Sequence, residues 1–355
     1  MMKKSKFWAF AAASALVLSA CSNAADEIPT PSVETPSTSA TDTESPEDDA
    51  TITEGDGQSQ RADQVLEAIA QSLDQAYEER TTENILERIN GPARQVIESE
   101  FANAERFGIE DLSPVPLTDA DSTWSTSADF PRVAMVFTQN PDTGSNDQLV
   151  VLSQANGRSN YKLWGYADLV PAEADITFAT DTDAIPGDSA DGLATSPLQA
   201  ITEYAERLHG DDTNVTFEDD ALTSSLQAQR DSIAESLGET GNVSINARAL
   251  NHGPLSMATE DGGAVTMGAL EYDVVIDRTT AGSTITVGDE LARWMTGEAD
   301  STYDVQGTLT STYYVTVAFY IPARGEGNVH VIATADPVLT NVTDDASTNP
   351  DETTE

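Results

Sequence analysis

The chain has 355 residues, with 61 acidic against 17 basic side chains and a formal net charge of -44 at pH 7. Such a surface repels phosphate backbones and anionic headgroups, which excludes basic-patch recognition of nucleic acid and leaves cations, basic proteins and neutral glycans as partners. Cys21 is the only cysteine, so no internal disulfide framework is available.

The chain starts with Lys3, Lys4 and Lys6, followed by an apolar run from Phe7 to Leu18 broken only by Ser14. That run is too short to span a bilayer comfortably and reads as a removable export signal over residues 1–20. Small side chains at Ser19 and Ala20 admit a peptidase and would leave Cys21 as the new N-terminus. Leu18-Ser19-Ala20-Cys21 resembles a bacterial lipoprotein signal, and the resemblance implies diacylglycerol on the Cys21 thiol, enough for stable anchoring. The expected address is the extracytoplasmic face of a cell membrane, held by lipid. The alternative is an ordinary secretory signal that leaves Cys21 free.

Ser22 to Gln60 carries ten Asp or Glu, no Lys or Arg, and repeated Pro, Ser and Thr. Such a composition cannot bury a core. Residues 21–60 are therefore expected to form an acidic, disordered stalk that lifts the remainder off the membrane.

Helical spacing begins near Arg61, with Val65, Leu66, Ile69, Leu73, Ala76 and Tyr77 on one face. Thr82 precedes a short second helix that stops at Gly91-Pro92. A third helix, Ala93 to Phe107, buries Val96, Ile97, Phe101 and Ala104 and ends at Gly108. Strands are expected at Arg132 to Gln139 and Gln148 to Gln154, paired across Asn140-Pro141-Asp142-Thr143-Gly144, and at Tyr161 to Ala167. Apolar periodicity then lapses, which sets a first domain at 61–180 and a linker at 181–196.

Leu198-Gln199-Ala200-Ile201 matches Leu66-Glu67-Ala68-Ile69 in spacing and chemistry. The match raises a tandem duplication, with a second domain at 197–340. A later helix, Ala221 to Leu237, precedes alternating strands at Val243 to Ala249, a hairpin around Glu260-Asp261-Gly262-Gly263, a long strand from Leu309 to Ile321, and Val329 to Ala335. Residues 341–355 read as a second acidic, disordered tail.

Helices followed by a meander of antiparallel strands predict an α+β class, with helices packed on a curved sheet in each of two domains. That order resembles the nuclear-transport-factor-2-like or cystatin-like folds. Two β-rich sandwich-like modules are the other option. Through the lipobox, the acidic stalk, Phe130-Pro131-Arg132-Val133, Leu149-Val150-Val151-Leu152 and Tyr161-Lys162-Leu163-Trp164, the chain resembles a group of uncharacterised actinobacterial lipoproteins. The resemblance implies location and fold and carries no activity with it.

No catalytic constellation is assembled by spacing. Ser159 and Lys162 have S-x-x-K spacing but sit at the start of a strand, which puts them on opposite faces. His209, His252 and His330 lie far apart, against a zinc site. Asp181, Asp183, Asp188 and Asp191 are the candidate oxygen ligands for calcium, although Ile185 and Pro186 break any EF-hand pattern; the plainer reading is a solvated linker, and no other cofactor is expected. Leu291, Trp294 and Met295 form an apolar stripe between Gly288 and Gly297 that would gate a ligand cone or simply cover a core. The expectation is a non-catalytic envelope lipoprotein that binds or scaffolds a protein or cell-wall glycan. A carrier of a small apolar or glycan ligand is the second reading, and a cell-wall hydrolase the third.

Overall fold

Apolar spacing near the N-terminus produces two helices in the computed structural model, which describes residues 54–117, 120–126, 129–139, 146–170, 176–179 and 182–351. Cys21 and most of the expected stalk lie outside the described residues. Helix α1 (Glu54–Glu79) begins inside the segment read as stalk and buries Leu66, Ile69, Leu73, Ala76 and Tyr77. A single 3-10 turn, Glu83–Ile85, replaces the expected second helix. Helix α2 (Gly91–Phe107) carries Pro92 in its first turn, where no backbone N–H is needed, and closes at Gly108, whose φ of 64° lets its N–H reach the Ala104 carbonyl.

Four strands follow as an antiparallel meander: β1 (Asp121–Trp124), β2 (Arg132–Gln139), β3 (Asn146–Gln154) and β4 (Lys162–Leu169). Side chains alternate between the two faces of this meander. Ala134, Val136, Val150, Leu152 and Leu163 face α1 and α2, while Val133, Met135, Phe137, Leu149 and Val151 face the other way.

Helix α3 (Pro197–His209) is capped by Ser196, whose Oγ accepts the Gln199 N–H at 3.2 Å. Helix α4 (Ala221–Leu237) is capped by Asp220, which also accepts the Tyr204 hydroxyl at 2.7 Å and so ties the two helices together. Strands β5 (Gly241–Ala249), β6 (Leu255–Ala258), β7 (Ala264–Arg278), β8 (Thr286–Val287), helix α5 (Asp289–Thr296), and strands β9 (Tyr303–Asp304), β10 (Thr308–Ile321), β11 (His330–Thr334) and β12 (Val338–Asp345) complete the order. Tyr204 meets Phe319 edge-on at 4.9 Å between α3 and β10, a contact worth about 0.5–1.5 kcal/mol beyond its buried area. Helix α3 comes close to the sheet because β7 has Gly268 beneath Ile201, where a Cβ would sit 2.9 Å from Cγ1.

The expected pair of tandem helix-on-sheet domains, nuclear-transport-factor-2-like or cystatin-like, is not what forms. One ten-stranded sheet runs β1-β2-β3-β4-β11-β10-β7-β5, with β12 beside the first half of β10 and β6 beside the first part of β7. The described residues from Ala62 onward form a single compact unit. Strand β11 joins the two halves through Ala333 opposite Leu169 and Thr334 opposite Asp168, and the Thr316 hydroxyl donates to the Tyr166 carbonyl at 2.6 Å.

The physical reason lies in β2 and β3, whose apolar runs have no polar face to give to solvent. Helices cover one side. The other side packs on Met257, Val265, Met267, Ala318 and Ile332 from β6, β7, β10 and β11. The opposite faces of β7 and β10 present Leu270, Tyr272, Val274, Val315, Val317 and Phe319 to α3 and α4. The layers are therefore helix, sheet, sheet, helix, with both sheet faces buried.

The segment expected to link two domains is held along the second half of the sheet. Ile185 N–H donates to Ser256 O at 2.9 Å, Ala194 N–H to Pro322 O at 2.9 Å, and Arg324 N–H to Gly192 O at 2.8 Å. At the C-terminal end, β12 runs to Asp345, and Asp351 accepts from the Arg278 guanidinium at 2.8 Å. Arg278 is buried and also donates to the Ser283 and Gln306 carbonyls.

Candidate functional site

Val96, Glu100 and Asn103 follow one another at helical spacing along α2 and face the same way. They form one wall of a cavity of about 590 Å3. The loop Gly108 to Pro116, released by the left-handed turn at Gly108, forms a second wall. Gln148 on β3, Tyr166 and Asp168 on β4, and Asp336 and Val338 at the β11–β12 turn complete the lining. The β4–β11 junction thus places residues from both halves of the chain around one space.

Charge in this cavity has one sign. Glu100, Glu110, Asp111, Asp168 and Asp336 all line it, and among the described residues no Lys, Arg or His does. Glu100 accepts the Tyr77 hydroxyl at 2.6 Å and lies beside the Tyr166 hydroxyl. Burial pushes the Glu100 carboxyl above the usual carboxylate range, and the two tyrosine hydroxyls pull it partway back. Tyr77 and Tyr166 are both raised well above the ordinary phenol value, by burial first, then for Tyr77 by Tyr166 and Glu100 and for Tyr166 by the Glu100 charge.

Hydrogen-bond acceptors outnumber donors on the wall. Gln148 Nε2 donates to Asp168 Oδ1 at 2.8 Å, which fixes the amide orientation and leaves Gln148 Oε1 without a partner. Asn103 is 2 % exposed, and its Oδ1 also has no partner. A buried acceptor left unsatisfied costs about 1–3 kcal/mol.

The residues singled out in the sequence lie elsewhere. Trp294 is 9 % exposed and packs with Leu237, Ile276, Leu309, Leu339 and Val342, with Leu291 and Met295 half-buried against the same cluster. The Arg106 guanidinium covers the Trp294 ring at 4.1 Å and donates to the Trp294 carbonyl at 3.1 Å, while Arg293 lies over Phe107 at 4.9 Å. This reciprocal pairing bolts α5 to the end of α2. Asp183, Asp188 and Asp191 are exposed, and Asp181 is outside the described residues. Among the described residues no group of three His, Cys, Asp or Glu side chains could hold a metal ion. Lys162 donates to the Leu86 carbonyl, and Ser159 is engaged in a turn with Asn156.

Sequence reasoning passed over Glu100, Asn103 and Asp336. Polar positions inside an amphipathic helix read as its solvent face. The available signal was that Glu100 and Asn103 continue the line of Val96, a residue assigned to the buried side. Among the described residues no helix is long and apolar enough to cross a membrane.

No curated protein and no solved structure matches the chain. Residues 127–341 match a family described as a domain of unknown function, DUF8094. The match takes in the β3, β4 and β11–β12 walls of the cavity and leaves out the α2 wall. It covers more than half of the 355 residues, and the protein belongs to the DUF8094 family.

Proposed function

We propose that the protein is an extracytoplasmic, lipid-tethered binding protein without catalytic activity, and that the cavity between α2, β4 and the β11–β12 turn receives a small donor-bearing ligand. The observation that carries this reading is the cavity itself, walled by residues from both halves of the chain, with Glu100, Asp168 and Asp336 among them. The cavity volume of about 590 Å3 is in the range of small-molecule sites. A wall built of carboxylates and amide oxygens favours a polar ligand over a lipid.

Thermal unfolding of the chain lacking its signal, against a panel of amines, polyols, sugars and fatty acids, tests the reading. A ligand at about 100 times its Kd adds about 2.7 kcal/mol of stability. No shift anywhere in the panel would sink the binding role, and release of a product from any panel member would sink its non-catalytic character. The tether rests on Leu18-Ser19-Ala20-Cys21. Cys21→Ser is expected to move the protein from the membrane to the soluble fraction, and unchanged membrane retention would remove the lipid from the proposal.

A further inference from the structure

We propose that the end of the first meander, where β1, the start of β2 and the β3–β4 turn meet, is a docking platform for an acidic polysaccharide in which neutral sugar rings are interspersed with carboxylates. None of its side chains lines the cavity described above, so the platform stands or falls independently of that reading.

Trp124 on β1 and Tyr161 at the entry to β4 meet edge-on with ring centroids 4.8 Å apart. Arg132 opens β2 two residues before Ala134, so its side chain leaves the sheet on the same face as Ala134 and Val136. Burial raises the Tyr161 phenol, and the nearby Arg132 charge pulls it partway back. The Arg132 guanidinium lies over the Phe130 ring at 4.9 Å. Phe130 in turn reaches the β3–β4 turn, where its Cζ is 3.5 Å from the place a Cβ on Gly157 would take. Arg158 follows in that turn. Phe130 is 40 % exposed, Arg158 is exposed, and Trp124, Arg132 and Tyr161 are half-buried. A lone exposed phenylalanine would mean nothing. Here two rings, a guanidinium and a third ring run on without a break.

The sign of the charge reverses at this end. Residues 130–139 and 148–167 carry Arg132, Arg158 and Lys162 and no Asp or Glu, in a chain with 61 acids; Asp129 is the acid that adjoins them. Arg158 donates its backbone N–H to Asn156 Oδ1 at 3.0 Å, and among the described residues its guanidinium meets no carboxylate. Lys162 donates to a carbonyl, that of Leu86, and not to an acid. With so many acids to choose from, the Arg158 charge is left for a carboxylate from outside.

Rings and cations together set the kind of partner. Aromatic side chains offer apolar faces with a polar tip to the C–H face of a sugar ring, and a guanidinium grips a carboxylate through two parallel hydrogen bonds. A densely charged polyanion such as nucleic acid needs a row of cations along its backbone, and the acidic remainder of the chain repels it. An isolated carboxylate between neutral rings is bound within a Debye length of about 8 Å and escapes most of that field. A lipid surface calls for several apolar side chains projecting together, whereas only Phe130 projects here.

Calorimetric titration of the chain lacking its signal with a hyaluronan hexasaccharide, one carboxylate to every second ring, tests the assignment. The neutral hexamer of N-acetylglucosamine, oligothymidylate and phosphatidylglycerol vesicles are the comparison probes. Saturable binding of hyaluronan is expected, with the neutral hexamer about tenfold weaker. Arg158→Gln removes a charged hydrogen-bond donor at an exposed turn and should cost about tenfold in affinity. Phe130→Ala, also at an exposed position, should weaken binding severalfold. Arg230→Gln removes an arginine on α4 that pairs with Asp231 and should leave the affinity unchanged.

If Arg230→Gln weakens hyaluronan binding as much as Arg158→Gln does, or if Phe130→Ala and Arg158→Gln leave it unchanged, binding is elsewhere and the platform is overturned. If the neutral hexamer binds as tightly as hyaluronan, the carboxylate is overturned. If oligothymidylate or the vesicles bind through Phe130 and Arg158 and hyaluronan does not, the polysaccharide is overturned. Absence of binding by hyaluronan overturns the proposal and leaves the cavity untouched.

Discussion

Glu100 sits where burial and hydrogen bonding pull its proton affinity in opposite directions, and burial wins. Its neighbours are Tyr77 from α1, Tyr166 and Asp168 from β4, and Glu110, Asp111 and Asp336 around the cavity. The carboxyl therefore holds its proton to higher pH in the folded chain than in the unfolded one. As pH rises above about 4.3 the unfolded state ionises first, so this group lowers stability progressively until pH passes the raised native value. Gln at the same position still accepts from Tyr77 and has no such penalty. Glu100→Gln should consequently gain in Tm relative to the native chain between pH 4 and pH 7. An equal Tm difference at the two pH values would show that the Glu100 carboxyl is not perturbed. At this scale the sequence was partly legible: Val96, Ile97, Phe101 and Ala104 are buried as the spacing predicts, whereas the chemical residues sit among them unseen, because a helical pattern records apolarity and not what a polar side chain faces.

Helix α5 is short, and its place is set by four side chains from two distant parts of the chain: Arg106 on Trp294 and Arg293 on Phe107. Phe107 and Arg106 end α2, and Gly108 opens the loop that walls the cavity. The Leu291, Trp294 and Met295 stripe was legible as an amphipathic helix between glycines. Its partner was not, because Arg106 is 188 residues away in sequence and no local pattern joins them. Trp294→Ala removes a large buried ring and the surface on which Arg106 lies, at an expected cost of about 3–5 kcal/mol. Denaturant unfolding should show the loss as a lower midpoint with an unchanged slope. A change under about 1 kcal/mol would mean that the ring is a free ligand surface and not part of the core.

The whole molecule depends on sheet faces that neither half can cover alone. Much of the order of helices and strands was legible, down to Ile69 and Ile201 occupying matched buried positions, but the helix expected after Thr82 is a 3-10 turn and β12 runs into the expected disordered tail. The match already fails at Leu198, which is 46 % exposed where Leu66 is buried. Val133 to Phe137 and Leu149 to Leu152 lack alternation, and that absence was the sequence's sign of a sheet buried on both faces; the β4–β11 junction rests on two residue pairs and leaves no local trace. Expressed separately, residues 61–180 would expose Val133, Met135, Leu149 and Val151, and residues 197–340 would expose Met257, Val265, Met267, Ala318 and Ile332, all completely buried in the intact chain. Each fragment would also present an unpaired edge at β4 or β11, a template for aggregation. Both are expected in the insoluble fraction, while co-expression restores a soluble pair, and the intact chain should unfold in one calorimetric transition. Two resolved transitions, or a soluble fragment with sharp unfolding of its own, would show that the halves are separate domains after all, because a face buried to completion between them cannot be left in water without loss of cooperativity.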